Sequence, residues 1–310
     1  MALIDTEIVI CSNCGSDQAE TIVTCKDFNY KTCDNFFDFV SCNLCHQIYL
    51  KNRPLVKYLP LIYPEQKYVA YSNRDQGFLS KIKEIFIKKK IAPLLENCPS
   101  NALIMEVGCA SGELMKLIKK FGNQSWSLFA IDISDKYFQD LESLGVKTIK
   151  SRFEDLKHFD SKFSAIIMNQ VIEHLESPKD VIKKSYELLM SNGILILETP
   201  SIEGIDKKIF KDKWEGWHAP RHWHMFDEKR LKDLLIDNGF TPIKTEYIFS
   251  PYIWIYSIRN FLEAKNFPSI FLRVLNLNNF FVLSFVCVID YFQKIFFRKT
   301  SNMRIVARKN

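Results

Sequence analysis

The run EVGCASG, residues 106–112, follows the apolar stretch ALIM and opens GELMKLIKK, whose apolar residues have helical spacing. A strand that turns through glycines straight into a helix needs cover on both of its faces. A parallel sheet flanked by helices supplies that cover. The middle of the chain repeats the pattern. SLFAIDIS, VKTIKSRF, FSAIIMNQV, ILILETP and IKTEYIF read as strands, and KYFQDLESLG, SPKDVIKKSYELL and EKRLKDLLIDNG between them read as helices. Gly145 closes the first of these helices. Ser177 followed by Pro178 reads as an N-cap with proline at the first helical position, and Gly193 as the end of that helix. Asp227 reads as the cap of the last. The expected fold class is α/β, with a doubly wound, mostly parallel sheet.

A glycine-rich turn lets a ligand approach the backbone, and the helix N-terminus adds partial positive charge. The spacing Gly108, Ala110, Gly112 is one residue shorter than the dinucleotide fingerprint G-x-G-x-x-G. Glu106 lies two residues before the first glycine. Asp132 ends the second strand, where a carboxylate can accept ribose hydroxyls. This set resembles the class I S-adenosylmethionine-dependent methyltransferases, whose first motif is an acid followed by G-x-G-x-G. The resemblance covers roughly residues 101–250 and implies a Rossmann-like sheet with S-adenosylmethionine as cofactor. It places Glu106, Gly108, Ala110 and Gly112 at the methionine end, Asp132 on the ribose and Ile133 on the adenine. Phe153 and Glu154 would border the adenine, and Asn169 and Gln170 would line the methyl-transfer site. Ala110 departs from the pattern, because alanine tolerates positive φ poorly.

The stretch NQVIEHLESPKDVIKKSYELLMSNGILILETPS resembles methyltransferases of small phenolic and lipid-like acceptors, including those of ubiquinone biosynthesis. They share an E-H pair after the fourth strand, here Glu173-His174. An acceptor hydroxyl must lose its proton as it attacks the methyl group. An imidazole near its usual pKa of about 6.5 can take that proton, and an adjacent carboxylate can orient the ring. The alternative is that His174 only braces the loop.

Six of the nine cysteines precede residue 46. Cys11 and Cys14, then Cys42 and Cys45, form two C-x-x-C pairs that can complete a tetrahedral zinc site. Strands are expected near Glu20–Lys26 and Phe36–Ser41, and Cys25, Cys33 and His46 are spare donors. Four thiolates leave no open position, so this zinc would be structural. A zinc ribbon ahead of such a domain is similar to two groups. One comprises bacterial methyltransferases of sugar, polysaccharide and natural-product pathways, including sugar C-methyltransferases. The other comprises ribosomal RNA methyltransferases with a zinc module. The first group tends to carry the Pro220-Arg221-His222 pattern and Phe226.

WEGWHAPRHWHMF, residues 214–226, holds three of the six histidines and three of the five tryptophans. It follows the fifth strand, so it should overhang the acceptor side. As a lid, its aromatics would wall the acceptor or stack on a sugar, and His222 and Arg221 would meet it by hydrogen bonds or charge. The rivals are a metal site of His218, His222 and His224, and plain core packing. Residues 251–299 hold nine of the 25 phenylalanines in helical segments ahead of a last strand, MRIVARK. They read as a helical cap or dimer surface, or as a contact with membrane or a lipid-linked acceptor.

The expected organisation is a zinc ribbon at 1–50, a linker and amphipathic helix at 51–100, and the methyltransferase core at 101–250. The hydrophobic helical insertion follows at 251–299, and the last strand at 300–310. Leu50 to Pro64 should have little regular structure, and 78–97 should be amphipathic through Phe78, Ile82, Ile85 and Phe86. MALIDTEIVI lacks the basic start of a signal peptide. The longest uncharged apolar run, Val274 to Ile289, is 16 residues, short of a membrane span. The expected location is cytoplasmic, or peripheral at the inner face of the membrane. The expected reaction is methyl transfer to a hydroxyl of a sugar, glycan or small hydrophobic acceptor. The alternatives are RNA methylation, sugar C-methylation, or a catalytically silent scaffold. Nucleic acid fits poorly. The net charge is only +6, and the ribbon carries Asp17, Glu20, Asp27, Asp34 and Asp38. The amine-methylating signature [ND]-P-P-[FY] is also replaced by NQVI.

Overall fold

A computed structural model describes residues 2–64, 80–156, 159 and 162–310, with the side chains of 80–88 excepted. The N-terminal region contains β1 (Thr6–Ile8), β2 (Ala19–Cys25), β3 (Phe37–Cys42), β4 (Ile48–Leu50), β5 (Asn52–Pro54) and the short helix α1 (Leu59–Ile62). Then come α2 (Ser80–Asn97), β6 (Leu103–Val107), α3 (Glu113–Phe121), β7 (Ser127–Asp132), α4 (Phe138–Ser143) and β8 (Lys147–Lys150). They are followed by β9 (Phe163–Asn169), α5 (Pro178–Leu188), β10 (Leu189–Pro200), α6 (Ile205–Phe210), β11 (His224–Met225), α7 (Glu228–Asp237) and β12 (Phe240–Tyr247). The chain ends with α8 (Pro251–Ala264), α9 (Ser269–Val274), α10 (Phe280–Phe297) and β13 (Asn302–Lys309).

Seven strands form the central sheet in the order β12-β13-β10-β9-β6-β7-β8. Neighbours run parallel from β10 to β8, and β13 alone is antiparallel to both strands beside it. Alternate residues serve opposite faces, as the pleat requires. Met105, Val107, Ile166, Met168, Leu195 and Leu197 join Val181, Leu231 and Leu235 in one core cluster. Ile104, Ala165, Ile167, Ile194 and Ile196 join Leu94, Leu114, Met115 and Ile118 in the other. The chain steps outward from β6 to β8, then returns to β9 on the other side of β6. In such sheets ligands bind beyond the strand C-termini at that reversal.

The caps at Ser177 and Asp227 are present: their side chains accept the backbone N–H of Asp180 and Arg230. Gly193 is a correction. The helix ends at Leu188, and Gly193 lies inside β10, at a register shift between Leu189 and Ile194. A Cβ there would come within 2.9 Å of the Met190 carbonyl and 3.1 Å of the Phe163 carbonyl, so backbone crowding explains the glycine. Leu50 to Pro64 is also more ordered than expected. β5 pairs with β1, α1 follows, and Ile62 is fully buried. Phe78 and the side chains of Ile82, Ile85 and Phe86 lie outside the described residues.

The N-terminal sheet has four strands in the order β11-β4-β3-β2. Its edge strand β11 comes from the far end of WEGWHAPRHWHMF. Phe37, Phe39 and Leu50 of the N-terminal region pack with Trp214, Trp217, Trp223 and Met225, and with Ile253, Trp254 and Ile255 of α8. The insertion lies between β12 and β13 as expected, and α10 rests on α8. Among the described residues α10 is the one helix long and apolar enough, by length and composition, to cross a membrane. It spans 18 residues at mean hydropathy 1.8, longer than the apolar run in the sequence suggested. Yet its buried face includes Asp290 and Gln293, and its phenylalanines point outward, Phe281 being 82% exposed.

Candidate functional site

β6 delivers the chain into a turn where Gly108, Ala110 and Gly112 have φ of 69°, 46° and 72°. A Cβ on Gly108 would meet Val171 Cγ2 at 2.6 Å, and one on Gly112 would meet Leu141 Cδ2 at 2.4 Å. Only glycine fits those two positions. Ala110 holds its left-handed backbone while its N–H donates to Asp132 Oδ2 at 2.8 Å. Ser134 N–H donates to Asp132 Oδ1 at 2.9 Å. Asp132 therefore clamps the turn as well as ending β7. Ile133 beside it is 60% exposed, an apolar surface free to meet a planar ring.

Glu106 is buried, and its Oε2 has no hydrogen-bond partner among the described residues. Burial pushes its pKa up to about 8; Lys90 opposes the shift and Asp132 adds to it. A buried acid without a donor, at the mouth of a glycine turn, suits the ammonium group of an amino-acid-like cofactor. Glu154 is half-buried at the rim after β8. The Phe153 ring is buried in the sheet core. Asn169 ends β9 half-buried. Gln170 is exposed at φ 56°, with its Nε2 donating to Asn302 Oδ1 at 3.0 Å. All these residues gather at the C-terminal ends of β6 to β9.

Just past β9, a 3-10 turn at Ile172–His174 carries the E-H pair, and His222 reaches it from the long loop. Glu173 is fully buried. Its Oε2 accepts the Thr199 hydroxyl at 2.9 Å, and its Oε1 has no hydrogen-bond partner among the described residues. His174 Nδ1 lies 2.9 Å from the Arg221 carbonyl and 3.0 Å from the Tyr63 hydroxyl. His222 Nδ1 lies 2.8 Å from the Gly216 carbonyl. A backbone carbonyl can only accept, so each Nδ1 carries the proton and each Nε2 keeps a lone pair. Those two Nε2 atoms stand 3.9 and 4.0 Å from Glu173 Oε1.

Burial pushes Glu173 up to about 8 and His174 down to about 3. Burial, with help from His174 and His218, also holds His222 well below the imidazole range. This corrects the expectation of an imidazole near 6.5. Both rings are neutral hydrogen-bond acceptors at pH 7 and poor free bases.

The rest of WEGWHAPRHWHMF is core more than lid. Trp214, Trp217 and Trp223 are buried, and Trp223 lines a cavity of about 410 Å³ with Tyr49, Arg53, Glu176 and His224. Arg221 is wholly buried and does not face an acceptor. Its guanidinium donates to both carboxylate oxygens of Asp27 at 2.9 and 3.1 Å and to the Ile62 carbonyl, and it stacks 4.3 Å from the Tyr30 ring. Burial alone would raise the pKa of Asp27; Arg221 and Thr32 hold it below its usual value instead. His218 pairs with Glu215 at 2.8 Å, and His224 Nε2 faces the Glu176 carbonyl. The three histidines of the loop therefore form no common metal site. Tyr63, Thr199 and the Asp27–Arg221 pair escaped sequence reasoning. Asp27 and Arg221 are 194 positions apart, and no local pattern links them.

Cys11, Cys14, Cys42 and Cys45 converge with their sulfurs within 4.8 Å of one another. Cys11–Cys45 and Cys14–Cys42 are each 3.5 Å apart, close to the edge of about 3.8 Å that four zinc–sulfur bonds of about 2.3 Å define. Two matching turns build the site. Gly15 N–H donates to the Cys11 carbonyl, His46 N–H donates to the Cys42 carbonyl, and both residues have positive φ. Cys25 and Cys33 are buried in the aromatic core and His46 stays outside the cluster, so the spare donors take no part.

The profile of a methyltransferase domain family matches residues 79–245, more than half of the chain. A tRNA U34 carboxymethyltransferase of Campylobacter jejuni is 30% identical over 212 residues, covering 62% of this chain and 70% of that protein. An uncharacterised protein of Methanocaldococcus jannaschii is 27% identical over 168 residues, covering 54% of this chain and 78% of that protein. The crystal structure of a candidate sarcosine dimethylglycine methyltransferase from Galdieria sulphuraria superimposes at a TM-score of 0.50 and 13% identity. It covers 82% of this chain and 97% of the other, and shares the fold. Strand order, glycine turn and family profile agree: the chain belongs to the methyltransferase domain family and is an S-adenosylmethionine-dependent enzyme of class I.

Proposed function

We propose that the enzyme transfers the methyl group of S-adenosylmethionine to a hydroxyl of a sugar, a glycan or a small hydrophobic acceptor. The observation that carries this reading is the meeting of Glu173, His174 and His222 beside the glycine turn, where Val171 touches the space above Gly108. The cofactor supplies an electrophilic methyl group. Glu106 receives its ammonium end, Asp132 its ribose and Ile133 its adenine, with Glu154 at the rim and Asn169 and Gln170 toward the methyl group. Glu173, His174 and His222 together form the polar anchor that aims the acceptor oxygen at the methyl group. Orientation of this kind can carry a large share of a transfer that needs little covalent help. Labelled methyl transfer to nucleotide sugars, lipid-linked saccharides and small phenols tests the reading. His174→Gln should lower kcat at least about tenfold and leave S-adenosylhomocysteine affinity intact. Undiminished turnover would remove the acceptor-side role.

The four cysteines fit structural zinc, which would supply folding energy to a region with little core of its own. A second reading has a specific support: the C. jejuni relative acts on tRNA. Under it the ribbon would grip RNA. Retention on heparin at moderate salt together with methylation of bulk tRNA would favour it.

The insertion bears on where the acceptor lies. Phe280, Phe281, Phe285, Phe292, Phe296 and Phe297 are exposed on α10, with Ile270 and Phe271 on α9. Between 265 and 299 the charged residues are Lys265, Arg273, Lys294, Arg298 and Lys299 against a single acid, the buried Asp290. That combination suits peripheral contact with an anionic membrane surface, as a lipid-linked acceptor of polysaccharide synthesis would require. Flotation with anionic vesicles tests it. A concentration-dependent dimer with no flotation would assign the same face to a second copy.

A further inference from the structure

The Glu173, His174 and His222 cluster has a property that acceptor positioning does not explain. Three acceptor atoms converge, and at their spacing none donates a hydrogen bond to another. Both Nδ1–H groups are committed to backbone carbonyls, so both Nε2 atoms present lone pairs. Glu173 Oε2 is taken by Thr199, while Oε1, fully buried and without a hydrogen-bond partner, faces the two rings. The gaps of 3.9 and 4.0 Å are too long for hydrogen bonds. Lone pairs gathered this closely in a buried place repel unless a cation stands among them.

We infer that Glu173, His174 and His222 bind a divalent first-row metal ion, with an open position toward the acceptor. Two imidazoles and one carboxylate suit zinc, iron, cobalt or manganese; magnesium and calcium prefer oxygen alone. The surroundings match those of metal-bound histidines, whose second ring nitrogen usually donates to a carbonyl and so fixes the tautomer. The donors lie within 4.8 Å of one another. Closing the two gaps from Glu173 Oε1 to the ring nitrogens, 3.9 and 4.0 Å, by about half an ångström would bring them to the edge of about 3.4 Å set by bonds of about 2.1 Å. Glu173 and His174 sit on one short turn, and His222 hangs from a loop that Arg221 anchors to Asp27, so the preorganised fold holds all three. Only the direction of the open position rests on the proposed acceptor side; the ligand set does not.

Titration of the zinc-loaded protein with Co2+, with elemental analysis after gel filtration, tests the site. The expected result is one metal equivalent beyond the four-cysteine centre, with visible bands that lack thiolate charge transfer. Glu173→Gln, nearly isosteric, and His222→Gln should each weaken it at least about tenfold, whereas Asp132→Ala should not. Melting curves confirm that each variant is folded, and Glu173→Gln suffices if His222→Gln is not. No additional Co2+ on folded wild type, or undiminished binding in Glu173→Gln, overturns the inference. A wild type that takes up no second metal yet transfers methyl groups would overturn it and leave the proposed function standing. A second metal in a protein that binds no S-adenosylhomocysteine would do the reverse.

Discussion

The two sides of the candidate site are built in different ways. The cofactor side is local. Glu106 to Gly112 form one continuous turn, and Asp132, a strand away, clamps it through the Ala110 N–H. The side proposed for the acceptor is assembled from afar. His222 meets Glu173 across 49 positions, and Arg221 is tied to Asp27 in the N-terminal region. Tyr63 adds a contact to His174, and α8 adds contacts to Glu215 through Tyr252, Ser257 and Asn260. A ligand shared by a whole family can be held by a short motif. A site assembled across the chain depends on every module that contributes a residue to it.

Removing metal from the cysteine cluster should break this contrast most sharply. Cys42→Ser should abolish the zinc binding proposed for the ribbon and, because β4 pairs with β11, loosen the loop that carries His222. Structural zinc in small domains contributes on the order of 10 kcal/mol to folding, so the effect should exceed any single side-chain contact. Hydrogen exchange should rise across 1–54 and 214–226 and stay low in β6 to β10. Uniform loss of protection would mean that the two sides are not separable.

Arg221→Met should come next. It leaves the Asp27 carboxylate buried without its partner, which typically costs about 3–5 kcal/mol. Thermal melts should fall accordingly, and Asp27→Asn with Arg221→Met should recover part of the loss. The same linkage predicts acid sensitivity. The pKa of Asp27 is lowered in the folded state, so its stabilisation is present above the ordinary carboxylate pKa and is lost as pH falls through the lower folded value.

On the cofactor side the expected effect is on binding. Glu106 has a folded pKa raised to about 8, so in the free enzyme it is protonated at neutral pH. A cationic cofactor needs it ionised. Affinity for S-adenosylmethionine should rise up to about tenfold per pH unit below 8 and fall again above it, as the cofactor's α-amino group, with a pKa of about 8, loses its proton. Glu106→Gln should flatten that slope, and calorimetry at several pH values would detect a slope that persists.

The smallest effect should come from Ala110→Gly. An alanine at φ 46° carries backbone strain, and relieving it should stabilise the protein by about 0.5–1 kcal/mol, net of the added chain entropy. A loss of stability would mean that the Ala110 methyl group packs usefully.

What the sequence revealed follows the same division. All seven sheet strands, both helix caps, the turn and the cysteine pairs were legible, because each depends on neighbours within about ten residues. Tertiary contact decided the rest. Arg221 looked available for an anionic acceptor until Asp27 appeared beside it. The tryptophans of WEGWHAPRHWHMF looked like a stacking face, and β11 turns that stretch into the edge of a second sheet. Gly193 looked like a helix stop, and the Phe163 carbonyl explains it. The His174 imidazole looked like a base near 6.5, but no sequence pattern reports burial, which sets it near 3.

Calorimetric titration with S-adenosylhomocysteine of wild type, Asp132→Ala and His222→Gln tests the division most directly. The account predicts binding on the order of micromolar in wild type, lost in Asp132→Ala and retained in His222→Gln. No binding to folded, zinc-loaded wild type, or equal loss in both variants, would contradict it.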